Sequence, residues 1–308
     1  MSIIFTPELI IEQIINGLTI GAIYALIALG YTLVYGILLM INFAHGEIFM
    51  FGAFGGYFIL SWLFQSGFTA NHLVLSIVAA FAGGMLVSSL LGILVERLAY
   101  RPLRNAPRLS PLICAIGVSS FLRNIMMLFV EARILMYPDV FPEETVSVGP
   151  VTISYFQILI IAGSILMMAG LYVFVKKSKT GRAMRAVAED KETAALMGVN
   201  VDRVIATTFA VGSALAAVAG VMVGMYYSQI SHMMGFVPGI KAFTAAVLGG
   251  IGNMPGAMLG GYILGVAEAF GVFVLPAQYK DVIAFSFLVL ILIFRPRGIM
   301  GEVVSERA

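Results

Sequence analysis

Charge is scarce in this sequence. Of its 308 residues only 11% are charged, while 60% are hydrophobic and the mean hydropathy is +1.01. Ordinary globular chains carry ~25% charged residues. So few polar groups cannot cover the surface of a water-soluble enzyme, and so apolar a chain cannot be disordered. The net charge is only +2, which excludes a broad basic surface for nucleic acid. One cysteine, Cys114, cannot close a disulfide within the chain. No Lys or Arg precedes Arg97, and before it stand only Glu8, Glu12, Glu47 and Glu96 as charges. A secretory leader begins with a basic segment, so the N-terminal apolar run reads as retained. What remains is an all-α fold, a polytopic membrane helix bundle in a single domain, 1–308.

The basic residues that do occur are gathered. Arg97, Arg101, Arg104 and Arg108 form one cluster; Lys176, Lys177, Lys179, Arg182, Arg185, Lys191 and Arg203 a second; Arg295, Arg297 and Arg307 a third. Short basic loops resist translocation, so all three should face the cytoplasm. The segment 131–151 carries Glu131, Asp139, Glu143 and Glu144 against one Arg133 and should face outward.

Apolar runs long enough to span are 9–37, 47–65, 73–96, 110–130, 152–175, 204–228 and 255–275, with shorter runs at 239–251 and 279–294. Clusters two and three share a side, so an even number of crossings must separate them. The short run 239–251 must therefore cross too, as a short or discontinuous helix. The total is about eight or nine crossings, with the N-terminus outside.

Small residues recur every fourth position. Gly17, Gly21 and Ala25 share a helix face, as do Gly212, Ala216, Gly220 and Gly224, and Ala257, Gly261, Gly265 and Ala269. Such stripes let helix backbones approach closely in lipid; they predict a tightly packed bundle and say nothing of cargo. Two places read as breaks: Asn42-Phe43-Ala44-His45-Gly46-Glu47, and Phe236-Val237-Pro238-Gly239-Ile240-Lys241 with the glycine-rich stretch 249–256. Irregular backbone at membrane depth is tolerated where protein or water satisfies it. The two resemble each other, each ending in a Gly pair (Gly55-Gly56 and Gly249-Gly250), which suggests an internal repeat of the kind transporters use.

Polar residues at membrane depth are costly and mark pathways or pairs. The candidates for a translocation path are Asn42, His45, Glu47, Lys241, Thr244 and Glu268. Each has a plainer reading. Glu47 could cap the helix that follows it, and His45 could be simply hydrogen-bonded. Glu268 could form a neutral pair with Lys241 or Lys280. Arg123, some seven residues from the outer end of its span, could snorkel or pair with Glu131.

The longest polar segment is 176–203. Helix formers dominate 182–197, and Gly198 stands where a helix-ending glycine belongs. Such an amphipathic helix can dock in a groove of a soluble partner or lie on anionic lipid.

Here the residues carry a resemblance. Glu192-Thr193-Ala194-Ala195-Leu196-Met197-Gly198 resembles the "EAA" coupling loop of ABC-importer permeases, with the alanine pair one position late. Asn16-Gly17-Leu18-Thr19, Tyr24-Ala25-Leu26-Ile27-Ala28-Leu29-Gly30-Tyr31-Thr32, Ile41 to Glu47, Glu96 to Arg104, Gly181-Arg182-Ala183 with Ala188-Glu189-Asp190, and Lys241 to Gly252 with Pro255-Gly256-Ala257 resemble the branched-chain amino acid ABC transporter permeases. The similarity runs from about residue 13 to 301. Arg123 departs from it, standing where the family has an uncharged Gln.

The resemblance implies a permease subunit in the bacterial inner membrane, passing Leu, Ile or Val. It implies four kinds of partner: a second homologous permease subunit, two cytoplasmic ATP-binding subunits, a periplasmic amino-acid-binding protein, and the membrane lipid. It implies no cofactor and no metal. Arg182, Arg185, Glu189, Asp190, Glu192, Ala194, Ala195 and Gly198 would couple the chain to the ATPase through the cytoplasmic loop 176–203, and the periplasmic loop 131–151 would help dock the binding protein. No G-x-x-x-x-G-K-[ST] loop occurs, so ATP would be hydrolysed by the partners and the chain itself would be no enzyme. Two alternatives share the composition: a urea or amide permease of the same class, and a secondary transporter using Glu47 or Glu268 as proton carrier.

Overall fold

The computed structural model describes residues 6–104, 106–107, 109–140, 145–148 and 151–301. Arg108, Glu143, Glu144 and Arg307 lie outside them. Twelve helices are described: α1 (Pro7–Leu38), α2 (His45–Gln65), α3 (Phe68–Asn71), α4 (Leu73–Val95), α5 (Leu109–Val130), α6 (Tyr155–Lys177), α7 (Lys179–Glu189), α8 (Lys191–Leu196), α9 (Val201–Tyr227), α10 (Phe236–Gly249), α11 (Met254–Val274) and α12 (Lys280–Phe294). Seven are long and apolar enough to cross a membrane: α1, α2, α4 with its continuation to Leu103, α5, α6, α9 and α11. With the 14-residue α10 and the 15-residue α12, the predicted set of nine apolar runs reappears as nine helices. The chain is a multi-pass membrane protein with a helical-bundle fold.

Two small antiparallel strand pairs accompany the helices: β1 (Leu135–Met136) with β4 (Gln229–Ile230), and β2 (Thr145–Val148) with β3 (Val151–Ser154). The second pair begins in the acidic segment and runs past it to Ser154, and its β-branched residues, Thr145, Val146, Val148, Val151, Thr152 and Ile153, favour strand.

The chain forms two compact units. One comprises Met1–Thr32, Phe141–Met168 and Lys241–Ala308; the other comprises Leu33–Val140 and Ala169–Ile240. In the first unit the small-residue stripes of α1 and α11 meet. A Cβ placed on Gly17 would fall 2.7 Å from the Val266 Cα, and one on Gly21 would fall 2.8 Å from the Tyr262 Cα. The match descends along α11 as it ascends along α1, so the two helices are antiparallel. Lipid supplies no hydrophobic drive between helices, so this backbone-to-backbone packing holds them together.

In the second unit α2, α4 and α9 form the core. Ser88 Oγ donates to the Ile48 carbonyl at 2.8 Å, and Ser89 Oγ to the Ala210 carbonyl at 3.0 Å. Each such bond between membrane helices contributes about 0.6 kcal/mol. Gly52 abuts Ala217 and Gly56 abuts Val221, so α2 and α9 run parallel. At one end of this unit the first basic cluster meets the start of α9. Arg104 bridges Glu96 and Asp202, the latter at 2.6 Å, and Arg101 also pairs with Asp202. The β1–β4 pair lies beyond the other ends of α5 and α9.

Short polar side chains set the helix starts. Ser178, Asp190, Asn200 and Asn253 each accept backbone N–H bonds as N-caps of α7, α8, α9 and α11. Asn42 does the same one step earlier: its Oδ1 takes the Ala44 N–H at 3.1 Å ahead of α2. The first half of the second predicted break needs correcting. Phe236 to Lys241 does not interrupt a helix but begins α10. Pro238 fits there because the first turn has no use for its missing N–H. The irregular backbone lies just before it, at 231–235, and, inside the glycine-rich stretch as expected, at Gly250–Asn253, where Gly250 and Gly252 adopt φ +107 and +96.

Candidate functional site

The predicted path residues fall into two groups. Asn42, His45 and Glu47 belong to the second unit, and Lys241, Thr244 and Glu268 to the first.

In the second unit the start of α2 meets the start of α10. A Cβ on Gly46 would collide with the Gly235 carbonyl, and one on Gly235 with the Gly46 carbonyl. Only glycine on both sides permits this approach. The contact lies at membrane depth: Ile48 is level with Ser88, seven residues or about 10 Å before the end of α4. Asn42, 2% exposed, accepts a 2.6 Å bond from the Tyr100 hydroxyl. His45 is buried in the first helical residue of α2.

Glu47 occupies the third position of α2 and is 1% exposed. Asn42 already holds the Ala44 N–H, so Glu47 does not close a capping box. It turns instead to α5, where Ser119 Oγ donates to Oε1 at 3.1 Å. Its Oε2 faces Gly235 and has no hydrogen-bond partner among the described residues. Four residues along α5 from Ser119, hence on the same face, Arg123 stacks its guanidinium 4.9 Å over the Phe236 ring. The predicted partner of Arg123, Glu131, is bonded instead to its near neighbour Arg133.

In the first unit Lys241 and Glu268 are matched by opposite charges. Lys241 Nζ lies 2.8 Å from Glu268 Oε1 and 2.7 Å from Asp281 Oδ1, and Lys280 Nζ lies 3.7 Å from Glu268 Oε2. The Tyr24 hydroxyl donates to the same Oε2 at 2.9 Å. Two cations and two carboxylates from α10, α11 and α12 thus neutralise one another, with α1 adding a hydroxyl. Glu268 is 0% exposed, so each of these partners offsets a large desolvation cost. Thr244 is buried one turn along α10 from Lys241.

The polar segment 176–203 folds as two helices, not the one predicted over 182–197. Asp190 ends α7 and caps α8: its Oδ1 accepts from the Glu192 and Thr193 amides, and Oδ2 accepts from the Thr193 hydroxyl at 2.7 Å. Those bonds, the hydroxyl's first, hold its carboxyl below the ordinary value. Gly198 ends α8 as expected, at φ +84, with its N–H bonded to Ala195 O and that of Val199 to Ala194 O. Along α7, Gly181, Met184 and Val187 are buried while Arg182, Arg185 and Glu189 face solvent. Gly181 sits against the Phe174 and Val175 carbonyls, and Arg185 bonds Val175 O, which ties α7 to the end of α6. On α8 Ala194 is buried, whereas Glu192 and Ala195 are exposed, and Leu196 and Met197 are 88% and 81% exposed.

Ser119, Arg123's stack on Phe236, Tyr24, Asp281 and Tyr100 were not anticipated as site residues. Paired hydroxyls at Ser119-Ser120 in mid-span and the adjacent Lys280-Asp281 were the available signals.

Comparison with known proteins bears on the whole arrangement. Residues 13–293 match the family model of the branched-chain amino acid transport system permease component. The chain is 51% identical over 301 residues to the high-affinity branched-chain amino acid transport system permease protein BraD of Pseudomonas aeruginosa, covering 96% of this chain and 97% of that one. It is 47% identical over 302 residues to LivH of Escherichia coli, a permease of the same description, with the same coverage. A probable branched-chain amino acid permease of Methanocaldococcus jannaschii is 28% identical over 94% of this chain and 92% of its own length. With a family model spanning nearly all the membrane helices and two relatives matched end to end, the chain belongs to the permease component family of branched-chain amino acid transport systems.

Proposed function

We propose that this chain is the membrane-spanning permease subunit of an ABC importer in the bacterial inner membrane. It translocates leucine, isoleucine and valine released to it by a periplasmic binding protein. It works beside a second homologous permease and is driven by two cytoplasmic ATPase subunits. The full-length likeness to branched-chain amino acid permeases supports the cargo.

The observation that carries the coupling is the α7–α8 pair. It is fixed to the end of α6, closed by a capped turn and a helix-ending glycine, and presents Leu196 and Met197 to solvent. An apolar pair this exposed on a rigid polar scaffold fits a groove in a soluble partner. ATP-driven closure of the ATPases would pull this element and favour one permease state over the other. The basic segments 97–104 and 176–203 then face the cytoplasm, and the acidic segment 131–151 faces the binding protein.

Cellular uptake of labelled leucine tests this. Uptake should vanish when the partner ATPase is inactivated. Gly198→Pro should also abolish it, because proline can neither adopt φ +84 nor donate the N–H that ends α8. Normal uptake in either case overturns the proposal.

A further inference from the structure

At the basic end of the second unit, α4 and α9 leave a groove of about 490 Å³ between them. Its character changes along its length. The inner part is lined by Ile93 from α4 and by Ala206 and Ala210 from α9, and the mouth by Arg97, Arg101 and Arg203. Spacing produces this gradient. Ile93, Arg97 and Arg101 recur every fourth residue toward and beyond the end of α4, and Arg203, Ala206 and Ala210 fall three or four apart from the start of α9. The alanines keep the inner part open, because their side chains end at Cβ. Beside the groove Leu86, Leu90, Leu94 and Leu98 are exposed and form an adjacent stripe at the same spacing. An exposed apolar stripe on a membrane-spanning helix suits acyl chains.

The charges at the mouth do not balance. Glu96 and Asp202 also line the groove, but both are already neutralised, Glu96 by Arg104 and Asp202 by Arg101 and Arg104. Among the described residues Arg97 and Arg203 make no ion pair, and they stand exposed on the two helices that flank the groove. Two unneutralised guanidinium groups at one mouth repel each other, and an anion held between them relieves that repulsion.

A small soluble anion would match the mouth and leave the apolar inner part uncovered. A purely apolar molecule would leave the arginines unmatched. A phospholipid matches both. We propose that the groove binds an anionic glycerophospholipid of the adjoining leaflet, with its phosphate between Arg97 and Arg203 and its first acyl carbons over Ile93, Ala206 and Ala210. Guanidinium groups hold phosphate through paired N–H bonds, and basic pockets between membrane helices hold such headgroups. The bound lipid bridges α4 to α9 at the end where Arg101 and Arg104 already hold Asp202.

The intact purified complex in phosphatidylcholine vesicles tests this, with a trace of photoreactive phosphatidylglycerol or photoreactive phosphatidylcholine as the probe. Mass spectrometry then locates the cross-linked peptides. The phosphatidylglycerol probe should label residues 93–101 and 200–210 roughly tenfold more than the phosphatidylcholine probe. Arg97→Gln combined with Arg203→Gln should abolish that preference, whereas Arg97→Lys with Arg203→Lys should keep much of it. Arg295→Gln with Arg297→Gln, which removes two exposed charges elsewhere, should leave it unchanged. Labelling by the phosphatidylcholine probe is the reference for an intact fold in every variant. Excess inorganic phosphate should not compete, because it lacks the acyl contacts. Equal labelling by the two probes in the wild-type complex means that a partner protein covers the groove or that nothing anionic binds there, and overturns the site. Loss of preference in the Arg295/Arg297 variant reduces the effect to general surface attraction, and competition by phosphate makes the ligand a free anion; either result also overturns it.

Discussion

Glu268 and Glu47 are the same residue type at nearly the same burial, 0% and 1% exposed, in different units of one chain. Glu268 is surrounded by Lys241, Lys280 and Tyr24, with Asp281 balancing the second cation. Glu47 has a single serine bond and one open oxygen. The first arrangement spends its charges on one another and holds α1, α10, α11 and α12 together. The second holds a charge in reserve. Burial alone therefore does not reveal what a membrane carboxylate does; the count of its partners does.

The comparison breaks most sharply on stability. Glu268→Ala leaves Lys241 and Lys280 with one carboxylate between them and should cost about 3–5 kcal/mol, read as a lower melting midpoint of the detergent-purified complex. Pairing Glu268→Gln with Lys241→Met should recover much of that loss, because an apolar pair can replace a buried ionic one. Glu47→Gln should leave the midpoint unchanged or raise it, since it removes an uncompensated buried charge. A midpoint lowered as much as by Glu268→Ala would erase the distinction.

A smaller effect is expected where the two helix starts meet. Gly46→Ala or Gly235→Ala puts a methyl into a carbonyl contact with no room for it and should cost about 1–3 kcal/mol, visible in the same midpoint. No loss in either variant would mean the contact is loose.

Much of this could be read from the sequence and some could not. The nine apolar runs, the small-residue faces of α1 and α11, and Gly198 as a helix terminator all depend on local composition and spacing, and they appear where that spacing puts them. The partnership of Glu268 with Lys241 was legible because few opposite charges exist at membrane depth to choose from. The role of Glu47 was not, since a cap and an open carboxylate share one position on α2. They are told apart only by Asn42 taking the Ala44 amide and by Ser119 arriving from a helix 72 residues away. Asp190 was read as part of one helix because its side-chain bonds to Glu192 and Thr193, which split 182–197 in two, compete locally with helix propensity.

Asp190 supplies a third, exposed carboxylate that sharpens the scale at its weak end. Its carboxyl is held below the ordinary Asp value of ~3.9, first by the Thr193 hydroxyl and then by backbone amides. A lowered folded value means the cap's contribution is complete above the ordinary value and is lost as pH falls through the lowered one. A spin label at Leu196 should therefore stay immobile at neutral pH and loosen only in acid. In Asp190→Asn, which keeps an accepting oxygen, the label should respond less to pH. Loosening between pH 6 and 8 would contradict the cap.

The most direct test of the whole account is uptake by proteoliposomes of the purified complex, offered labelled leucine or labelled urea with its binding protein present, with ATP and without. The account predicts leucine accumulation only with ATP and none of urea. Leucine uptake driven by a pH gradient without ATP, or ATP-driven uptake of urea in place of leucine, would contradict it.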